Sequence, residues 1–349
     1  MKKELLRLFK CLLTFSLIVL GTGSMVYAAS PIKLSWSEYV SPNDYRNNYW
    51  RYYIKRIAEE TNNQVEITLY PAQQLVKARQ QYEALIQGTI DMCALIPAYY
   101  AGKMPLLTML HETTFWEIGD SAVINSRLAN EIDQILNKDG VKFLGWSGFL
   151  QPQVLVGPRV FKTFDDIKGL KIRAPGSSAK ILQHWGATGV SISAAETYMA
   201  MQKGIVDGAY TSMATVSALK MWEIANAITY SRSGGNGAMV SMNLQRWNEL
   251  PASVKAAFEK VSREMPEYVY NDARHIIAKI QAEHKKNFKE YHEWTEAEYK
   301  VWTKSLAGVF YEPVIKKFGS QGEQLWEKIL AVANENRQAR LEGKPIRFH

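Results

Sequence analysis

The chain has 349 residues, 47% of them hydrophobic, with 42 Lys and Arg against 34 Asp and Glu and only two cysteines. The basic excess is spread along the sequence rather than gathered in blocks, which argues against a nucleic-acid groove and fits a protein that handles anions. Two cysteines exclude a disulfide scaffold, so stability must come from a packed core.

The first residues read as an address. Lys2, Lys3, Arg7 and Lys10 precede an apolar run from Cys11 to Leu20, and Val26-Tyr27-Ala28 places small residues at the cleavage-determining positions. This predicts a secretory signal peptide over residues 1–28 and a periplasmic protein, the alternative being an uncleaved anchor. Its removal leaves 321 residues, 349 less 28, and lowers the formal charge from +8 to +5, because the segment carries four Lys/Arg and one Glu. Cys93 is then alone, in an apolar stretch that predicts a packed thiol.

Residues 32–40 alternate apolar and polar as a strand does, and Tyr49, Tyr53, Ile54 and Ile57 follow at helical spacing. "QVEITLYP" predicts a second strand, "KARQQYEALIQG" a helix stopped by Gly88, and "MCALIP" a third strand. Strand-helix alternation of this kind predicts a parallel α/β sheet. The pattern restarts with strands at 141–146, 152–157 and 169–175, then a helix, the short strand "TGVSIS", and a further helix and strand over 194–212. "ALIQGTIDMCA" (84–94) and "AMQKGIVDGAY" (200–210) both match A-x-x-x-G-x-x-D, with glycine placed to cap a helix and aspartate opening the returning strand. The recurrence predicts two similar lobes. Beyond Pro251 the chain is helical. Val254, Phe258, Val261, Met265, Val269, Ala273, Ile276 and Ile280 form the apolar stripe of a long helix, which Pro266 is expected to kink or split. Lobe I is assigned residues 29–150 and 238–280, and lobe II residues 151–237 and 281–349.

Catalytic signatures are missing. The histidines show no paired metal spacing, and there is no phosphate loop, dinucleotide fingerprint or nucleophile elbow. Asp165-Asp166 reads as a solvated helix cap. Arg173 is different. It ends the alternation of "GLKIRAPGSS", directly before Pro175-Gly176, where ligands bind beyond the carboxyl ends of strands in open α/β sheets. A guanidinium there offers a rigid fork to a carboxylate, and the helix start that follows also favours an anion.

"LYPAQQL" (69–75), "DDIKGLKIRAPGSS" (165–178) and "AAETYMAMQKGIVDGA" (194–209) together resemble the extracytoplasmic solute-binding proteins of TRAP (tripartite ATP-independent periplasmic) transporters, of dicarboxylate-binding-protein type. The resemblance implies a periplasmic-binding-protein-like α/β fold: two α/β lobes, hinge strands and a long helix spanning both. It also implies closure over a small organic acid, delivery to the TRAP membrane permease, and Arg173 as the residue that holds the ligand carboxylate. Neither a cofactor nor a metal is expected, although some family members hold the carboxylate through a cation.

Two departures bear on the ligand. Gln153 stands where many sialate- and dicarboxylate-binding members carry a second arginine, and Arg159 falls outside the expected cleft. "AYTS" (209–212) replaces a segment often Q-E-N-P, so Tyr210 and Thr211 become candidates for the cleft wall. Trp36, Glu38, Tyr99, Gln151 and Asn236 complete the candidate set. A monocarboxylate or keto acid, aromatic or not, fits better than sialate or a C4-dicarboxylate. A receptor feeding a sensor and a secreted α/β hydrolase are the rival functions, and both monomer and homodimer remain open.

Overall fold

The computed structural model describes residues 30–111, 120–148, 152–232, 237–304 and 306–348. The leader over 1–28 and the candidates Gln151 and Asn236 lie outside the described residues. Eleven strands are described: β1 Ile32–Ser37, β2 Val65–Tyr70, β3 Met92–Leu95, β4 Val141–Gly148, β5 Gln153–Gly157, β6 Lys171–Ala174, β7 Thr188–Ser191, β8 Gly208–Ser212, β9 Ala227–Tyr230, β10 Gly237–Asn243 and β11 Glu290–Glu293.

They form two sheets, ordered β2-β1-β3-β10-β4 and β11-β9-β5-β8-β6-β7. Reading the second from its other end, β7-β6-β8-β5-β9-β11, lays its first five strands over the five of the first, with β11 added at the edge. In each sheet three parallel strands are followed by one antiparallel strand, β10 in the first and β5 in the second. Those two strands arrive from the opposite lobe. Residues 149–152 alone separate β4 from β5, and 231–236 separate β9 from β10. The chain thus passes twice from one sheet to the other, between β4 and β5 and between β9 and β10.

The internal repeat has a physical basis. Gly88 and Gly204 take positive φ, 70° and 68°, just past their helices Gln81–Ile86 and Thr197–Gln202, as a left-handed helix stop requires. Asp91 then accepts a hydrogen bond from the backbone N–H of Ser35 in β1, and Asp207 one from that of Lys171 in β6, at 2.7 and 2.8 Å. Each aspartate ties the returning strand to the parallel strand it pairs with, β3 to β1 and β8 to β6. The structural role expected of Asp207 is the one it has.

The third passage between lobes is the 36-residue helix Ala252–Asn287, about 54 Å long at 1.5 Å per residue. Val254, Phe258, Val261, Met265, Val269 and Ala273 are buried in the first lobe's core, while Ile280 packs in the second with Val154, Met213 and Ile228. Pro266 does not divide it. The helix continues through that position, with Met265 1% exposed on its buried face.

The end of the chain differs from the sequence assignment. Leu325, Ile329 and Val332 of the helix Ser320–Leu341 pack in the same core as Leu34, Ile132 and Phe258. Residues 320–341 therefore return to the first lobe, whereas the assignment of 281–349 put them with the second. Helical periodicity shows which face of a helix is apolar but not which core receives it. Cys93 is a buried free thiol, and Asp166 takes part in a capping box with Thr163, whose backbone N–H it accepts at 2.8 Å.

Candidate functional site

The carboxyl ends of β1, β3, β6 and β8 point into one interlobe cavity of about 40 Å³. The first lobe lines it with Tyr39, Arg46, Ile96 and Tyr99, and the second with Gln153, Arg173, Pro175, Ala194, Thr211, Ser212 and Thr215. This is the strand-end crevice in which open α/β sheets bind ligands.

Arg173 occupies the penultimate position of β6 and is 1% exposed. Its Nε donates to the carbonyl of Ile192 at 2.9 Å, Nη1 to the carbonyl of Tyr210 at 3.4 Å, and Nη2 to the hydroxyl of Tyr99 at 3.4 Å. All three acceptors are neutral. Burial works against the charged form and lowers the pKa of Arg173 from its usual value, the hydroxyl of Tyr99 partly opposing this. Tyr99 belongs to the first lobe and its hydroxyl also accepts from the N–H of Ala194 in the second, at 3.1 Å. One oxygen thus fastens the lobes together beside the guanidinium.

Arg46 enters from the other side, at the start of the helix Arg46–Glu60. Its Nε donates to Oδ1 of Asp44 at 2.7 Å and Nη2 to Oδ2 at 2.5 Å, a bidentate pair buried on both sides. Nη2 also reaches the hydroxyl of Thr215 in the second lobe at 2.9 Å, and Nη1 the hydroxyl of Tyr39 at 3.3 Å. The sequence reading missed Arg46, Asp44 and Tyr39. "SPNDYR" reads as a polar helix start, and no local pattern distinguishes a buried ion pair there from a solvated one.

The other candidates divide between the cavity and the cores. Gln153, Tyr99 and Thr211 line the cavity with Arg173, whereas Tyr210, Trp36 and Glu38 do not. Tyr210 is next to Thr211 on β8, and adjacent strand residues face opposite ways. Its ring lies edge-on to Trp185 at 6.2 Å, within the second lobe's core. Trp36 sits inside β1, because that strand ends at Ser37 rather than at residue 40, and its ring packs 5.6 Å from Trp50 and 5.7 Å from Tyr53. Glu38 is fully buried behind Tyr39, with Oε1 accepting from the N–H groups of Tyr39 and Val40 at 2.7 and 3.3 Å. Desolvation raises its pKa to about 8. Arg159 donates to the carbonyl of Asp166 in an exposed setting and is not among the cavity-lining residues.

The lobes meet tightly at one glycine. A Cβ on Gly176, at the start of the helix Gly176–His184, would lie 2.5 Å from the carbonyl oxygen of Ala98 in the opposite lobe. Gly176→Ala is expected to hold the lobes apart and weaken ligand binding by about 1–3 kcal/mol, the usual cost of one excess methyl in a tight contact. Calorimetric titration checks this, and unchanged affinity would mean that the contact is not needed for closure.

Two α/β lobes, joined by crossing strands and a shared helix and closed over a polar cavity at their strand ends, define a solute-binding protein of the periplasmic type. The family model for the bacterial extracellular solute-binding protein, family 7, matches residues 36–317, and the chain belongs to that family, the solute-binding proteins of TRAP transporters. The C4-dicarboxylate-binding periplasmic protein DctP of Rhodobacter capsulatus is 26% identical over 313 residues, covering 84% of this chain and 89% of that one. A monocarboxylate 2-oxoacid-binding periplasmic protein of Nostoc is 26% identical over 226 residues, covering 60% and 59%. A TRAP periplasmic solute-binding protein from Desulfovibrio salexigens, solved with bound orotic acid, has the same fold. Its TM-score is 0.80 at 18% identity, covering 87% of this chain and 99% of that one. The expected fold, two α/β lobes with a helix through both, is the one observed.

Proposed function

We propose that this chain captures a small organic acid carrying a single carboxylate, a 2-oxo or 2-hydroxy acid in class, outside the cytoplasmic membrane and delivers it to a TRAP permease. The observation that carries the reading is Arg173, a buried guanidinium hydrogen-bonded to neutral acceptors only. No carboxylate pairs with it among the described ion pairs. A buried cation without a counter-ion is costly, and a ligand carboxylate supplies the missing charge in a geometry that suits the planar fork.

The size of the cavity narrows the class. A volume of about 40 Å³ is small, which favours a compact acid over an aromatic one. Gln153 and Thr211, on β5 and β8 of the anchor's own sheet, supply neutral donors and acceptors for a ligand oxo or hydroxyl group. The 2-oxoacid-binding relative from Nostoc agrees with this choice.

Capture without catalysis is the reading the cavity wall favours. Among the described residues that line it there is no histidine, cysteine or carboxylate, and the hydroxyl of Ser212 accepts from the N–H of Thr215 as a helix cap. The leader over 1–28 and the periplasmic location belong to the same proposal. A thermal-shift screen of organic acids tests it, since a ligand that binds only the native state raises the apparent stability. Compact monocarboxylates are expected to raise the Tm. Stabilisation by sialate or C4-dicarboxylates alone would refute the ligand class.

A further inference from the structure

The cavity wall carries two arginines of different standing. Arg173 has neutral partners, whereas Arg46 is matched atom for atom by Asp44, with Nε on Oδ1 and Nη2 on Oδ2. Both members of that pair are buried, at 4% and 2% side-chain exposure. The Asp44 carboxylate therefore lies against Arg46 in the bidentate geometry that a ligand carboxylate would otherwise adopt. The pair sums to zero, so the wall presents a net charge of +1. Glu38, on the same strand end, adds nothing at neutral pH because burial keeps it protonated.

We propose that Asp44 is the specificity-determining residue that limits the ligand to one negative charge, by occupying the guanidinium that a second ligand carboxylate would need. This rests on Arg173 being the anchor for the first carboxylate. Asp44 also has a local duty, since its Oδ1 accepts the backbone N–H of Arg46 at 3.0 Å and so orders the turn that leads into the helix, one residue before the N-cap Tyr45. A merely structural Asp44 would stop there. A specificity role adds a consequence for ligand charge that capping does not have.

Asp44→Asn keeps Oδ1 as an acceptor for the helix and removes the charge. Against wild type, calorimetric titration with pyruvate and with succinate is expected to move the succinate-to-pyruvate affinity ratio at least about tenfold toward succinate. An unchanged ratio in a folded Asp44→Asn protein overturns the proposal.

The variant leaves Arg46 uncompensated, and two others answer the question even if it does not fold. Arg46→Gln with Asp44 intact lowers the wall charge to zero and is expected to weaken pyruvate binding at least about tenfold. The double variant Asp44→Asn/Arg46→Gln restores +1 and is expected to bind pyruvate at least about tenfold more tightly than Arg46→Gln, with no gain for succinate. Equal pyruvate affinity in these last two proteins overturns the charge account. The anchor reading fails separately. It is wild type binding no monocarboxylate at all that would remove Arg173 from its role, whereas wild type binding pyruvate with ratios unmoved by Asp44→Asn removes Asp44 alone.

Discussion

Arg173→Lys is expected to weaken binding of the ligand acid by about 1.5–3 kcal/mol, a rise in Kd of roughly tenfold to more than a hundredfold. Lysine keeps the charge but replaces a planar fork by a single ammonium. In the protein the fork spends Nε on Ile192 and directs Nη1 and Nη2 to the carbonyl of Tyr210 and the hydroxyl of Tyr99. The terminal nitrogens are held in place by β6, β8 and the opposite lobe, so a carboxylate meets two donors already aligned. An ammonium on a flexible stem reaches one acceptor geometry at a time. Calorimetric titration reads the difference, and wild-type affinity in Arg173→Lys would show that the carboxylate is held elsewhere.

Glu38→Gln is expected to change the pH dependence of stability strongly. Glu38 is fully buried, and its Oε2 has no hydrogen-bond partner. Desolvation raises its pKa from 4.5 to about 8, against the opposing hydrogen bond from the Tyr39 N–H and the Arg46 charge. Between those values the folded protein keeps a proton that the unfolded chain releases. Stability therefore falls as pH rises from about 4.5 to about 8 and levels off above that, by on the order of 5 kcal/mol from this group. Glutamine keeps the Oε1 acceptor for Tyr39 and Val40 and carries no charge at any pH. Urea unfolding should find Glu38→Gln more stable than wild type at pH 8.5 and nearly equal to it at pH 5. Parallel pH profiles would show that Glu38 does not titrate in this range.

The parts of this protein that were legible in sequence are those fixed by local chemistry. Gly88 and Gly204 announce helix stops because few other residues accept their φ, and the aspartates three positions later recur for the same structural reason in both lobes. Arg173 stands out because Leu170 and Ile172 alternate with it and Pro175 ends the strand, so its position at a strand tip follows from the pattern alone. Trp36 and Tyr210 were harder. Sheets covered on both faces bury both sets of side chains, so alternation says that neighbours diverge but not which of them reaches the cleft.

Long-range pairings were not legible at all. Arg46 meets Thr215 across 169 positions of sequence, and the helix Ser320–Leu341 returns to a core begun at Leu34. No composition marks a helix for one lobe rather than the other. The site is assembled from strand ends and helix starts of both lobes, and Asp44, in "SPNDYR", carries no local sign that its carboxylate is buried against Arg46.

Under the proposed function a carboxylate, and not merely a small polar molecule, completes the cavity around Arg173. Titrating the purified protein with pyruvate and with its uncharged amide tests this most directly, because the two ligands are close in size and differ in the group that meets the guanidinium. The acid is expected to bind and the amide to bind at least about a hundredfold more weakly, the cost of leaving a buried cation unmatched. Equal binding of the amide would contradict the account.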